Sequence, residues 1–516
     1  MTSSFLSLAI STHPPCSHAP ICVLGLLQCS SEHRHKLEEQ PLIYRLGTLQ
    51  PTRLNIEDPT DFEWSFWTEW VMKLLLWTLL GHVIISQVTG AFLPKFRMWL
   101  LMIYGMWACF LTVGYKGLVV ILLHLFISYT VAQLQVPVLS WLCSVLLLYS
   151  LQMDSLGKIQ KRWYETENEY FLLLFCLALC NLRYTSFSLE HCWHRDSPQR
   201  HCVSFCWLLA YVFYYPVFHN GPIICYDDFK NQMQKAKTFV PKTDYLCLLL
   251  GGMRILFWWW LTESMLHLMY IHAIQHQETI LESASYWTLG GLGFAHALFF
   301  YMKYLLLYGV PSIIMCLDGI KPPRLPRCTS SLYSFTGTWR EFDVGLHRWL
   351  VRYIYIPLGG SRHGVLRIMF SSAMAFSFVC YWHGGHNFML NWAALNWAGV
   401  MIENILKMVC SNSPAQEIIE KSLSARMQRR AHAALAGVAT TLLILSNLVF
   451  LCGNQVGKIY WNRTFVQEKD TENLPETRGN QGNFRLVSLM SIVGKMLKSI
   501  LKDVITRHLE NNDMNL

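Results

Sequence analysis

The sequence predicts an all-α fold, a polytopic membrane protein with about ten transmembrane helices plus re-entrant or interfacial helices. Three observations lead there. Long apolar runs recur along the 516 residues, and about 20 consecutive apolar residues cross a bilayer core as a helix. Only 15% of the chain is charged, against about 25% in an ordinary soluble domain. The 20 Trp and 23 Tyr suit membrane interfaces, where an amphipathic ring rests at headgroup level.

Taken in order, the first apolar runs cover residues 71–93, 98–114, 117–134 and 137–151. A basic patch of Lys158, Lys161 and Arg162 separates them from runs at 169–183 and 203–219. A second basic stretch, with Lys230, Lys235, Lys237 and Lys242, precedes runs at 244–269 and 286–312. Runs at 366–382 and 388–408 come next, then a third patch, Lys421, Arg426, Arg429 and Arg430, and a last run at 434–453. Several runs are short enough for re-entrant or half-membrane helices. Basic connections of this kind tend to stay cytoplasmic, and they carry much of the net charge of +9. Topology signalling explains that charge better than nucleic-acid binding, so no nucleic-acid partner is expected.

The two ends differ from the middle. Residues 1–60 hold "FLSLAI" and "ICVLGLL", neither long enough to span, and the first lacks the basic region of a secretory signal. A divergent, mostly irregular, peripheral segment is expected there. Residues 61–467 form the expected core, and residues 468–482 a polar linker. Across 483–510, Leu486, Leu489, Val493, Met496, Leu497, Ile500, Leu501 and Val504 recur at helical spacing, with Lys495, Lys498 and Lys502 opposite. That pattern predicts an amphipathic helix, lying on a membrane or packed against another protein.

The 17 cysteines include no C-x-x-C pair, and many lie in apolar runs where Cys behaves as a small hydrophobe. No disulfide framework is expected. In "HCWHRDSPQRHCVSFC", residues 191–206, zinc could use four of the His and Cys side chains. The spacing fits no standard zinc pattern, and chance enrichment is the better reading.

Ionisable groups inside apolar runs are costly, roughly 2.5–3.5 kcal/mol at the centre of a spanning helix. His383 sits in "YWHGGHNF", residues 381–388, where Gly384 and Gly385 remove bulk and would let a ligand or a neighbouring backbone approach. A satisfied core histidine is the bland alternative, and His386 at i+3 makes a metal pair conceivable but poorly supported. Asp343 lies in a partly amphipathic stretch, residues 336–360, with Arg340, Arg348 and Arg352 between its apolar positions. It is either a surface partner for an arginine or a carboxylate that polarises a histidine. Asn447 interrupts "LLILSNLVFL"; helix–helix hydrogen bonding is its commoner use, and donation to an oxyanion the functional one. Arg254, before three tryptophans, reads as a snorkelling interfacial residue or an anchor for a phosphate-bearing ligand.

The chain contains no G-x-S-x-G, H-E-x-x-H or Walker A sequence, so a serine hydrolase, a zincin and a P-loop ATPase are unsupported. A lone His with a distant Asp best suits proton removal from a hydroxyl or amine that attacks an acyl donor. The rival is a transporter or channel with a His/Asp relay, which internal repeats would support; the sequence has none.

"FDVGLHRWLVRYIYIPLGG" and "YWHGGHNFMLNWAALNWAGVMIEN" resemble the membrane-bound O-acyltransferase family. So do "DFEWSFWTEW", "KRWYETENEYFLL", "YVFYYPVFHNGPI" and "LSNLVFLCGNQVGKIYWNRTF", and the resemblance covers about residues 61–467. It implies the family's helical bundle and an enzyme of the endoplasmic reticulum membrane, with the Golgi as the other compartment. That enzyme moves palmitate from palmitoyl-CoA to the N-terminal cysteine amine of a Hedgehog-type secreted protein. The family's invariant histidine falls on His383 and its second catalytic position on Asp343. Asn447 matches a polar position near the acyl donor, Trp339 a tryptophan lining the tunnel, and Cys328 a cysteine able to ligate haem b. Catalytically silent, scaffold-like relatives lack the histidine, and this chain keeps it. Both ends depart from the family pattern, which has an extra apolar segment at the start and a final span at the end.

Overall fold

The structure, a computed structural model, describes residues 29–30, 63–64, 67–68, 74–194, 201–235, 242–362, 364–411 and 424–466. The expected amphipathic helix at 483–510, the linker before it and nearly all of 1–60 lie outside the described residues. Regular structure among the described residues is helical throughout. The elements are α1 (Leu76–Phe92), α2 (Arg97–Ala132), α3 (Pro137–Gln152), α4 (Asp154–Lys161), α5 (Glu167–Trp193), α6 (His201–Val212), α7 (Tyr226–Lys235) and α8 (Lys242–Met269). They continue with α9 (Ile271–Gln275), α10 (Glu278–Ser283), α11 (Tyr286–Leu317), α12 (Phe335–Glu341), α13 (Val344–Leu350), α14 (Val365–Trp382), α15 (Asn387–Ser411) and α16 (Ala425–Trp461).

The apolar runs at 98–114 and 117–134 are the two arms of one bent helix, α2. The bend is at Gly114, with φ 72° and ψ 174°, a conformation open essentially to glycine alone. The same device bends α16 at Gly453, φ 83° and ψ 178°. Five helical segments among the described residues are long and apolar enough to cross a membrane: Arg97–Ala132, Glu167–Trp193, Thr288–Leu317, Val365–Trp382 and Leu435–Val466. A sixth is added if α3 and α4, bent by 61°, form one span. By this measure the number stays below the ten or so expected. The measure covers the described residues alone, and within them α15 is interrupted by Asn391, Asn396 and Glu403.

Burial separates inner from outer helices. The apolar window of α5 is 83% buried, that of α2 only 22%. Trp77, Phe92 and Leu366 are 70%, 78% and 83% exposed, a surface suited to hydrocarbon rather than water.

The chain divides into two compact units. The main unit comprises Asp61–Glu263 and Phe299–Asn404. Its core is α5 packed between α2 and α3. Arg183 of α5 donates to the carbonyl of Val212 at 2.6 Å and to that of Val217, which offsets the cost of burying a guanidinium. Gly105 lets α2 meet the segment after α6, since a Cβ there would lie 1.8 Å from the Phe213 carbonyl oxygen. Asp318, with no exposed surface, joins α1 and α2 to the end of α11. It shares a hydrogen bond of 3.0 Å with His82 Nε2 and accepts from Ser86 and Tyr214, while Arg97 donates to its backbone carbonyl at 3.0 Å.

At the C-terminal end of α5, Glu190 accepts from Tyr353 at 2.9 Å and pairs with Arg352, which also bonds Asp227 at 2.9 Å. His194 stands 3.7 Å from Glu190 and 3.9 Å from Asp227. This is what the described part of the His- and Cys-rich stretch builds. The donor atoms of Glu190, His194 and Asp227 are close enough for a cation, but Arg352 already supplies the positive charge.

The second unit includes Ser264–Leu298 and the chain from Ile405 on, as well as Met1–Thr60. Ser30 donates to the Met269 carbonyl at 2.7 Å, and Arg463 donates to that of Ala284. The rings of His272 and His296 meet at 4.8 Å, and Gly293 of α11 faces Ile444, Leu448 and Tyr460 of α16.

Candidate active site

His383 occupies the C-cap of α14. Its backbone N–H donates to Val379 at 3.0 Å, that of Gly384 to Tyr381 at 3.0 Å, and that of Gly385 to Cys380 at 3.0 Å. Gly384 and Gly385 have φ of 104° and 67°. This is a glycine C-cap, in which left-handed residues satisfy the last carbonyls of a helix. The glycines are therefore there for backbone shape. The space beside them is open as well: a Cβ on Gly385 would meet nothing within 4 Å, and one on Gly384 would touch only His386 at 3.4 Å.

The end of α14 is held by two neighbouring helices, α3 and α5. Trp382 Nε1 donates to Ala178 of α5 at 3.0 Å, Gln152 of α3 donates to the Tyr381 carbonyl at 3.2 Å, and Tyr381 donates to Val145 at 3.3 Å. The imidazole of His383 stands edge-on to Trp382 at 4.6 Å and to Trp392 at 6.3 Å. Burial lowers its pKa to about 4. The ring is thus neutral near pH 7, the state a general base requires. His386, expected as a conceivable metal partner, stacks on Phe388 at 5.7 Å.

Asp343 is the N-cap of α13. One carboxylate oxygen accepts from Leu346 N–H at 2.9 Å, and the other accepts from the Tyr308 hydroxyl of α11 at 2.8 Å. Burial raises its pKa, and the bonds from Leu346, Tyr308 and Gly345 work against that rise. Each oxygen retains further acceptor capacity. Trp339 of α12 packs at 4.5 Å on Phe376 and 5.6 Å from Trp392, so Trp339 and His383 flank the same Trp392. Asn447 belongs to α16 in the second unit, half-buried beside buried Ser446. Cys328, half-buried, caps a short 3-10 turn, Thr329–Ser331, ahead of α12. Arg254 is exposed on α8, as a snorkelling residue would be.

A cleft of about 280 Å³ lies next to α13, lined by Ile223, Ile224, Asp228, Lys321, Arg324 and Arg348 among others. Ile223 also touches Gly345, two residues from Asp343: a Cβ on that glycine would lie 2.5 Å from the Ile223 carbonyl oxygen. The cleft therefore adjoins the helix that presents the carboxylate.

Several participants escaped the sequence. Tyr308, in an aromatic and aliphatic helix, resembles any interfacial tyrosine, and only the fold brings it to Asp343. An ion pair of Lys303 with Glu63, 2.7 Å long, lies on the same helix as Tyr308; Glu63 belongs to the "DFEWSFWTEW" motif, which was its one signal.

A model of the membrane-bound O-acyltransferase family matches residues 129–446, the region holding both His383 and Asp343. The chain belongs to the membrane-bound O-acyltransferase family. It is 51% identical over 418 residues to protein-cysteine N-palmitoyltransferase HHAT of Mus musculus, covering 80% of this chain and 84% of that protein. It is 29% identical to the mouse HHAT-like protein, over 76% of this chain and 77% of that one. It is 26% identical to protein-cysteine N-palmitoyltransferase Rasp of Drosophila melanogaster, over 84% and 86%. The chain is accordingly an acyltransferase of a membrane-bound family.

Proposed function

We propose that this acyltransferase moves palmitate from palmitoyl-CoA to the N-terminal cysteine amine of a Hedgehog-type secreted protein at the endoplasmic reticulum membrane. The observation that carries the reading is His383, a neutral imidazole held rigidly at a helix end against two tryptophans. Support for the substrate comes from the 51% identity to a mouse protein named as a protein-cysteine N-palmitoyltransferase.

A free α-amine has a pKa of about 7.7–8.0, so a sizeable minority is neutral near pH 7 without help. The amine nitrogen adds to the thioester carbonyl, and His383 takes its proton as the tetrahedral intermediate forms. The C–S bond then breaks, and the proton passes to the CoA thiolate. A positioned base contributes roughly 10²–10⁴ in rate. Asp343, fixed by Tyr308 and the first turn of α13, accepts a hydrogen bond from the incoming amine and aims it. Asn447 is assigned the amide donor to the thioester carbonyl. Trp339, with Phe376 and Trp392, forms an apolar wall for the acyl chain. Lys321, Arg324 and Arg348 give the cleft beside α13 the charge to hold the phosphates of the CoA nucleotide.

Haem b is a separate assignment, to Cys328. Its thiol is of the type that ligates haem iron, and Tyr301 lies in the electrostatic reach of both Cys328 and Arg254, a cation suited to a propionate. Acyl transfer moves no electrons between substrates, so haem there would brace the loop before α12 and supply no step.

The test is transfer of radiolabelled palmitate to a peptide with an N-terminal cysteine. His383→Ala should lose 10²-fold or more, and the parent rate in that variant would overturn the assignment. Solute flux in liposomes lacking acyl-CoA would instead support a transporter.

A further inference from the structure

We propose that Glu403, with Asn396 and Gly399 on the same face of α15, is a positioning device that sets where Trp339 stands and thereby which acyl-chain length is accepted. This rests on the proposed acyl transfer and deepens it. Glu403, half-buried on α15, has a specific use. Its two oxygens accept from the backbone N–H groups of Phe335 at 2.5 Å and Thr336 at 2.9 Å, the first two residues of α12. One turn back on α15, Gly399 lets the Phe335 ring lie against the helix; a Cβ there would sit 2.6 Å from that ring. A further turn back, Asn396 Oδ1 accepts from Trp339 Nε1 at 3.2 Å.

The Asn396 amide is itself oriented, because its Nδ2 donates to the Trp392 carbonyl at 2.9 Å. Residues at i, i+3 and i+7 share one helix face, so three residues on one stripe hold the first two residues of α12 and its fifth, Trp339. Trp339 is the side chain so fixed, and it stands between Phe376 and Trp392, the latter 6.3 Å from His383. A shift of α12 on its seat moves that wall and leaves the base in place.

The test compares myristoyl-, palmitoyl- and stearoyl-CoA as donors for the purified full chain, with kcat and KM measured separately. Glu403→Ala and Gly399→Ala should change the palmitoyl-to-myristoyl ratio of kcat/KM at least about fivefold and in the same direction, mostly through KM, since a few methylenes in an apolar pocket discriminate on that scale. Glu403→Gln, which keeps one of the two acceptor oxygens and sets an NH₂ donor against the other N–H, should shift the ratio in the same direction as Glu403→Ala but less. Asn396→Ala leaves the α12 cap intact and decides the matter if Glu403→Ala does not fold. Variants that melt earlier but keep the parent's chain-length ratio would overturn the proposal and reduce the stripe to a structural support. If the parent transfers no acyl group, the proposed function fails, and thermal shifts with non-hydrolysable acyl-CoAs of the three lengths still score the positioning claim by the same ratio.

Discussion

Replacing Gly345 with alanine tests whether the carboxylate of Asp343 must be placed to better than an ångström. Gly345 is the second residue of α13, whose N-cap is Asp343. The added Cβ would lie 2.5 Å from the carbonyl oxygen of Ile223 and 2.8 Å from its nitrogen, whereas ordinary contact begins at 3.4 Å. The obstacle is backbone, which cannot rotate aside. Either α13 or the 223 segment must therefore retreat by about 0.9 Å, the difference between 3.4 and 2.5 Å. Asp343 rides on the first turn of that helix. A misplacement near 1 Å costs about 10² in rate, equivalent to about 2.7 kcal/mol of barrier. The overpacking itself costs about 1–3 kcal/mol of stability, which a folded protein survives. The assay is detergent-purified protein, checked by size exclusion and thermal melting, then kcat for palmitoyl transfer at saturating palmitoyl-CoA. Gly437→Ala, where a Cβ meets nothing within 4 Å, is the control and should keep the parent's rate. A folded Gly345→Ala protein with more than half the parent's kcat would refute the placement argument.

The pH profile separates the base from its substrate. Burial lowers His383 to about 4, so kcat/KM for the peptide should rise with pH through the amine's value near 8 and show no limb near 6.5; a limb at 6–7 contradicts a buried neutral base. Tyr308→Phe removes the 2.8 Å donor to Asp343; bonds to charged groups are worth about 1.5–3 kcal/mol, so kcat should fall about tenfold or more, and an unchanged kcat means the tyrosine does not hold the carboxylate. Arg352→Ala takes the guanidinium from Glu190, whose side chain is 2% exposed against 38% for Arg352, and leaves Tyr353 as its donor; a bond to a charged group is worth about 1.5–3 kcal/mol, to be read as a lower melting temperature, with an unaltered melt as the contrary result.

The fold class was legible because apolar runs are local. Each run marks its own helix, and the basic patches mark the gaps. The bend of α2 at Gly114 was legible only as a gap between two runs, since hydropathy does not say whether a chain turns back or merely kinks. His383 stood out because an imidazole in an apolar setting is rare whatever the fold. The meaning of its two glycines did not, because close approach and left-handed capping use the same residue. Asp343 was legible as a candidate but not as an N-cap locked by Tyr308, which lies 35 positions earlier. Glu403, 67 positions from the N–H group of Thr336 that it receives, offered no local pattern at all. Contacts at such separations come from tertiary packing, and one sequence carries no trace of them.

The glycine cap at the end of α14 has one more implication, for how such an enzyme can lose its activity. The hydrogen bonds that close the glycine cap itself run between main-chain atoms of residues 379–385, and the side chains of Gln152, Tyr381 and Trp382 brace it from outside. A replacement at 383 leaves those main-chain bonds available, so on the proposed mechanism it is expected to give an assembled protein that still engages donor and acceptor while its rate falls 10²-fold or more. Such an inert copy, made alongside the working one, would sequester substrate rather than simply be missing.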